Sequence, residues 1–296
     1  DYSAELLPEL ARYYDIDVIT PQAEVTDRWI RGSFACHTPE WFEKNSSRYD
    51  RVLYHFGNSS FHSYMFGLLE RIPGTVVLHD FFLSGILNYL QLSGIETDCY
   101  AQALLRSHGY EALRAFHREG YESTKRYPAN LPVLLQAQGV IVHSEHSRTL
   151  AAEFYNHDVG GDWICLPLLR VPKPLLDNAT ARQRLNMPAN SQITATFGFI
   201  APTKLNIELI DAWAAVNEGN PDAYLVFVGR NSLDLYGQEM LARIEQSSAR
   251  KRIFITGFAS AEDYNLWLAA TDVAVQLRTG SRGETSAALY DCISAG

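Results

Sequence analysis

Cysteine is scarce. The 296-residue chain holds 4 cysteines, Cys36, Cys99, Cys165 and Cys292, and no two are close in sequence. That spacing excludes a C-x-x-C redox site or zinc ribbon and argues against a disulfide framework. Positive charge is in deficit, with 25 Lys and Arg against 34 Asp and Glu and a formal net charge of −9. Phosphate backbones need a clustered cationic excess, so no nucleic-acid partner is expected. Long hydrophobic runs are missing. The strongest, Phe81–Leu92, is too short to span a bilayer and is interrupted by Ser84, Asn88 and Gln91. No charged n-region with an apolar core opens the chain, so a cytoplasmic protein is expected. Neither G-x-S-x-G nor G-x-G-x-x-G occurs. Their absence leaves serine hydrolysis and dinucleotide binding unsupported.

What remains is globular. The chain is 47% hydrophobic and 20% charged, with 19 Gly and 12 Pro. Those values exclude collagen-like, low-complexity and disordered classes. The length suits two domains and a core that needs no staple. Both ends read as cut: an amphipathic helix pattern starts at Asp1 with no strand before it, and a helix pattern closes on Gly296.

Short β-branched runs alternate with longer helical patterns. Strands are expected at 16–20, 51–56, 75–79, 140–143 and 163–166, then at 193–197, 224–228, 252–256 and 273–277. Several are continuous apolar runs rather than alternations, as parallel strands buried on both faces require. Intervening helices complete βαβ units. Three prolines between Pro167 and Pro174 disfavour helix and mark a hinge. The expectation is an α/β chain of two Rossmann-like domains, 1–172 and 173–296. The segment 98–127 reads as helix, with Arg106, Arg114, Arg118, Lys125 and Arg126 forming a locally basic stretch. It suits a solvated face or an anion or membrane contact. Phe81–Leu92 suits burial against the sheet or peripheral membrane association.

Chemistry concentrates at strand-to-helix turns. Thr196–Lys204 leaves a strand, turns at Gly198 and enters the helix Asn206–Val216. A helix start favours an anion, and Lys204 adds a point charge. Gly229 directly follows a buried strand and precedes Arg230. Ligands of open α/β sheets bind at that carboxyl edge. Gly257 and Phe258 repeat the strand–Gly pattern. A Gly-rich loop then brings Glu284, Thr285 and Ser286 to a helix start, with Asp291 two turns on and on the face of Glu284. Carboxylates there would accept sugar hydroxyls, or Glu284 would merely cap its helix.

Rival signals are weaker. His143 and His146 have i, i+3 spacing, yet no P-C-x-x-C follows to complete a deaminase zinc site. Asp15 and Asp17 form a D-x-D, but they precede a strand rather than follow one. His55, His62 and His79 fall at or near strand ends, and the sequence does not show whether they converge.

Taken in order, these turns resemble the retaining GT-B glycosyltransferases of the large family 4 (glycosyltransferase group 1). The resemblance covers nearly the whole chain. Asp1–Leu10 looks like the helix after the family's first Gly-rich loop. Val76–Asp80 looks like the strand end carrying its His, and Gln138–Ser147 like the strand and turn closing its first domain. There are departures. Phe199 stands where the family often has Arg, and Leu205 where many members have Gly. The acidic pair Glu284 and Asp291 is one residue shorter than the family's Glu-x7-Glu, and its second member is Asp. The C-terminal crossing helix is also missing.

The resemblance implies a GT-B fold whose sheets face a cleft. It implies transfer of a sugar from a nucleoside diphosphate sugar to a saccharide or lipid-linked acceptor, in polysaccharide biosynthesis. Configuration would be retained, with no cofactor and no bound metal. His79, Lys204 and Glu284 would be catalytic. Gly198, Lys204, Gly229, Arg230, Gly257, Phe258, Glu284, Thr285, Ser286 and Asp291 would bind the donor, with Gly257 and Phe258 at the base and Asp291 at the ribose. Asn58, His62 and Asp80 would lie on the acceptor side. The work would be done in the cytoplasm or at the inner face of the membrane. The alternatives are a non-catalytic GT-B-like binding module and a sugar-nucleotide epimerase.

Overall fold

Continuous apolar runs become the inner strands of two parallel sheets. The structure is a computed structural model that describes residues 2–156 and 158–296; Asp1 and His157 lie outside the described residues. The strands are β1 (Asp17–Ile19), β2 (Ala35–His37), β3 (Leu53–Phe56), β4 (Thr75–Leu78) and β5 (Gly139–Val142). They continue with β6 (Ile164–Cys165), β7 (Gln192–Phe197), β8 (Ala223–Val228), β9 (Ile253–Ile255) and β10 (Val273–Ala274). Each expected strand is present; β7 and β8 start one residue early, β5 is shifted by one, and the others are shorter by one to three residues. The addition is β2, which pairs in parallel with β1. Its Ala-Cys-His core carries no apolar run, so periodicity could not reveal it.

The chain divides into two compact units: Asp1–Leu169 with Arg282–Thr285, and Arg170–Ser281 with Ser286–Gly296.

The first unit holds a parallel sheet of order β3-β4-β5-β6. Its register pairs His55 with Val77 and Val77 with Ile141. Phe56, Val76, Leu78, Phe81, Leu83, Leu90, Tyr100 and Leu104 form the heart of its core. Phe81–Leu92 belongs largely to that core: Phe81, Leu83 and Leu90 are fully buried, and only Tyr89 and Leu92 are well exposed. Burial at about 25 cal/mol per Å² accounts for this stretch without a membrane. The basic segment forms the helix Cys99–Glu119 and the 3-10 turn Gly120–Lys125. Gly109, at φ 71° and ψ −166°, interrupts the helix. Arg126 and Arg118 pair with Glu119, and Lys125 pairs with Glu122. Among the described residues no helix is long and apolar enough to cross a membrane.

The second unit holds a parallel sheet of order β10-β7-β8-β9. Alternate residues of β8 feed two cores. Leu225 and Phe227 face Ile210, Trp213 and Met240, whereas Val226 and Val228 face Ala181, Leu266 and Ala270. Apolar layers on both faces explain why Leu225–Val228 shows no polar alternation. The proline-rich segment from Pro167 to Pro174 has neither helix nor strand. The helix Asn206–Val216 forms as expected, and Ser260 caps the helix Ala261–Ala270 by accepting from Asp263 N.

Candidate functional site

In the second unit, β7, β8 and β9 deliver three glycine turns to one carboxyl edge. Gly198 N donates to Val228 O at 2.9 Å, and Gly229 N donates to Thr256 Oγ1 at 3.1 Å. The first two turns touch. A Cβ on Gly229 would lie 2.1 Å from Gly198 O, so no other residue fits there without backbone movement. Gly198 itself adopts φ +105°, and a Cβ on it would lie 2.4 Å from Lys204 Nζ. The lysine thus lies on bare backbone. Its ammonium donates to Phe197 O at 3.1 Å.

Lys204 ends the short turn Pro202–Lys204, and Leu205 follows at φ 52°, ψ 41°. That left-handed geometry explains why glycine would suit this position; here a leucine carries the strain, roughly 1–2 kcal/mol. Asn206 is buried, and its Oδ1 accepts from Ala201 N at 3.2 Å, which closes the turn from below. Thr279 N donates to Thr203 O at 2.8 Å and brings the segment of Arg278 alongside. Burial lowers the Lys204 pKa, and the neighbouring Arg278 lowers it further. Two cations at a half-buried glycine turn would gain from an anion. Beside them the Arg230 guanidinium lies 5.8 Å from the centroid of the Phe258 ring, which is 78% exposed. The second unit therefore assembles Gly198, Lys204, Gly229, Arg230, Gly257 and Phe258 on one edge. Arg278, Thr256 and Asn206 join them, although sequence reasoning did not select these three.

The acidic loop differs from its expectation. Glu284 and Asp291 do not share a helix face, because the helix runs from Ala287 to Ala295 with Ser286 as its cap. Glu284 precedes it, and its Oε2 accepts from Arg282 N at 2.6 Å. Glu284 and Thr285 also group with the first unit rather than with the 173–296 domain. The reason is packing. Ser147 Oγ donates to Gly283 O at 3.2 Å, and Arg282 lies 5.8 Å from the Phe82 ring centroid. Gly283 has φ +83°, and a Cβ there would lie 2.5 Å from Phe81 Cβ.

Asp291 stays in the second unit, where it accepts a bidentate pair from Arg170 at 3.0 and 2.9 Å and a bond from Tyr264 OH at 3.0 Å. Burial raises the Tyr264 pKa, and the adjoining carboxylate raises it further. The D-x-D residue Asp17 opens β1 and accepts from Tyr49 OH at 2.5 Å.

In the first unit the expected acceptor-side residues cluster beyond β3 and β4. Asn58 N donates to Asp80 Oδ2 at 2.7 Å, and Asn58 Oδ1 accepts from Ile86 N at 2.8 Å in the first turn of the helix Ser84–Leu92. Among the described residues the buried Nδ1 of His62 has no hydrogen-bond partner. His79 follows β4 directly, at the strand end where it was expected. Its Nε2 is 3.1 Å from His55 Nδ1, and its Nδ1 is 3.1 Å from His143 Nε2. Both nitrogens are thereby committed to other imidazoles. Burial pushes the His79 pKa down to about 3, aided by repulsion from His55, His143 and His62. Burial likewise holds His55 at about 4. His143 is buried whereas His146 is exposed, so their i, i+3 spacing makes no joint site. Among the described residues no cluster of three or more His, Cys, Asp or Glu is arranged around a metal position.

No protein-family model matches the chain, and no curated protein matches it. Solved structures do. The structure of HepE from Anabaena in complex with UDP matches with a TM-score of 0.62 at 16% identity, covering 99% of this chain and 75% of that chain. The same protein with UDP and glucose gives a TM-score of 0.57 at 16% identity over 99% and 75%. With UDP-glucose it gives 0.51 at 16% identity over 83% and 78%. At such identity the likeness is one of fold, and it agrees with the parallel sheets already described: the chain has the α/β fold class of the GT-B glycosyltransferases.

Proposed function

We propose that the chain is a glycosyltransferase that moves a sugar from a nucleoside diphosphate sugar to a saccharide or lipid-linked acceptor, with retention of configuration and without a bound metal. One observation carries this reading: Lys204, beside Arg278, lies against the touching Gly198 and Gly229 turns. On a GT-B fold that cationic turn suits a diphosphate. Lys204 would meet the charge that grows on the leaving diphosphate as the anomeric C–O bond breaks. Stabilisation that strengthens toward the transition state is what raises the rate. Phe258 would stack the base, backed by Arg230. Asp291 would reach the ribose only by sharing its carboxylate with Arg170 and Tyr264. Glu284 would contact the donor sugar, and Asn58, His62 and Asp80 would contact the acceptor.

The test is calorimetric titration of UDP, GDP and ADP into wild type and Lys204→Ala, followed by mass spectrometry of products from the matching sugar conjugate. HepE was crystallised with UDP and UDP-glucose, so uridine is the first base to try. One nucleotide is expected to bind, about 10–100-fold more weakly without the lysine, since a charge-assisted hydrogen bond is worth roughly 1.5–3 kcal/mol. Binding by none of the three would overturn the proposal. Binding without transfer would leave the non-catalytic module, which Phe199 in place of the family's usual Arg and the shortened spacing from Glu284 to Asp291 permit. Conversion of the donor with no acceptor present would mark an epimerase.

A further inference from the structure

Three imidazoles hydrogen-bond in a row along the carboxyl edge of the first unit's sheet. His55 lies near the end of β3, His79 one residue beyond β4, and His143 one residue beyond β5. The row ends on the backbone carbonyl of Leu166, one residue beyond β6, at 3.0 Å from His143 Nδ1. Consecutive strands in parallel register thus bring together three residues that lie far apart in sequence. The Tyr2 ring packs over all three, with centroid distances of 5.6, 4.7 and 5.2 Å.

The protons in this row follow from its last member. A neutral imidazole donates from one nitrogen and accepts at the other, whereas a carbonyl only accepts. His143 Nδ1 therefore carries a proton toward Leu166 O, and His143 Nε2 accepts. His79 Nδ1 must then donate to it, and His79 Nε2 accepts from His55 Nδ1. Protonating His79 would set two N–H donors against each other, and burial already opposes charge on this row. One backbone oxygen thus orders three rings, and among the described residues the row's own hydrogen bonds leave His55 Nε2 as its unprotonated end. His62, whose charge would also oppose protonation of His55, lies near this end of the row, and Asp80 lies near His62.

We propose that the row is a tautomer lock, with His79 and His143 as positioning residues and His55 Nε2 as its working end, an acceptor-only nitrogen for the hydroxyl of a saccharide. The lock goes beyond glycosyl transfer and does not depend on it; only the choice of a saccharide hydroxyl rests on that reading. A hydroxyl has the proton this nitrogen needs, while a carboxylate or carbonyl oxygen has none to give.

The test is a long-range nitrogen–proton spectrum of the full chain labelled with 15N-histidine, recorded near neutral pH without nucleotide. Its result therefore stands whatever the nucleotide titrations show. All three rings are expected as neutral Nδ1–H tautomers. An Nε2–H form or an imidazolium at any of the three would overturn the lock. His143→Gln keeps an acceptor for His79 and should leave His79 in the same form. His143→Leu removes it and should give His79 mixed tautomers; an unchanged His79 in that folded variant would also overturn the lock. Should His143→Leu fail to fold, wild type and His143→Gln decide between the outcomes. Titration with glucose is expected to move the His55 Nε2 signal, and a signal that stays put would refute the hydroxyl assignment.

Discussion

The two units use the same plan and finish it with opposite chemistry. Each places turns at the carboxyl edge of a four-stranded parallel sheet. In the first unit that edge carries neutral imidazoles, with His55 and His79 held far below the ordinary histidine range by burial. In the second it carries the cations Lys204, Arg230 and Arg278 around bare glycine backbone. The difference teaches that strand-and-helix topology selects where a ligand can bind, and side chains select its charge. A neutral, hydroxyl-rich partner suits the first edge, and an anion suits the second.

Four measurements would break or sharpen this contrast. The largest effect is expected at Asp291. Asp291→Ala removes two charge-assisted hydrogen bonds from the mostly buried Arg170 guanidinium, so stability to urea should fall by about 3 kcal/mol. If Asp291→Asn stays folded and binds the nucleotide as wild type does, the residue serves the fold of the second unit and not its ligand. Next comes the contact between glycine turns. Gly229→Val would press side-chain carbon into Gly198 O, at a cost of about 1–3 kcal/mol. A loss below about 0.5 kcal/mol, the ordinary surface value, would show that the turns can part and that the close approach is not required.

Third is the response to acid. In the unfolded chain histidine takes its proton near 6.5, whereas His55 and His79 resist until about 4 and about 3. Between those limits the unfolded state binds more protons. Stability is therefore complete above pH 6.5 and falls as pH drops, by about 1.4 kcal/mol per pH unit for each proton of difference. His79→Phe should flatten that slope, and a slope unchanged in the variant would remove the row as its source. The smallest effect is expected at exposed Phe258. Phe258→Ala should alter stability by less than about 0.5 kcal/mol yet weaken nucleotide binding by about 1 kcal/mol, roughly fivefold. Equal affinity in wild type and variant would exclude stacking on this ring.

How far the sequence could be read depended on whether a feature was local. Continuous apolar runs such as Leu225–Val228 marked inner strands, since burial on both faces leaves no place for polar alternation. The three-residue β2 escaped because Ala35–His37 carries no apolar run for periodicity to mark. Gly198, Lys204, Gly229, Arg230, Gly257 and Phe258 were all legible, because each follows a recognisable strand. Glu284 was misplaced onto a helix face because spacing alone cannot show that Gly283 docks against Phe81.

By itself the sequence determined the class of fold, nine of the ten described strands and the positions of the glycine turns that follow them. Those follow from side-chain periodicity and from glycine, which act within a few residues. Only the tertiary structure decided that His55, His79 and His143 share one hydrogen-bonded row, that Asp291 is held by Arg170 and Tyr264, and that Arg278 joins Lys204. Each of these pairings joins positions brought together by parallel strand register or helix packing. Their hydrogen bonds and charges act only at a few ångströms, a separation that chain order does not reveal.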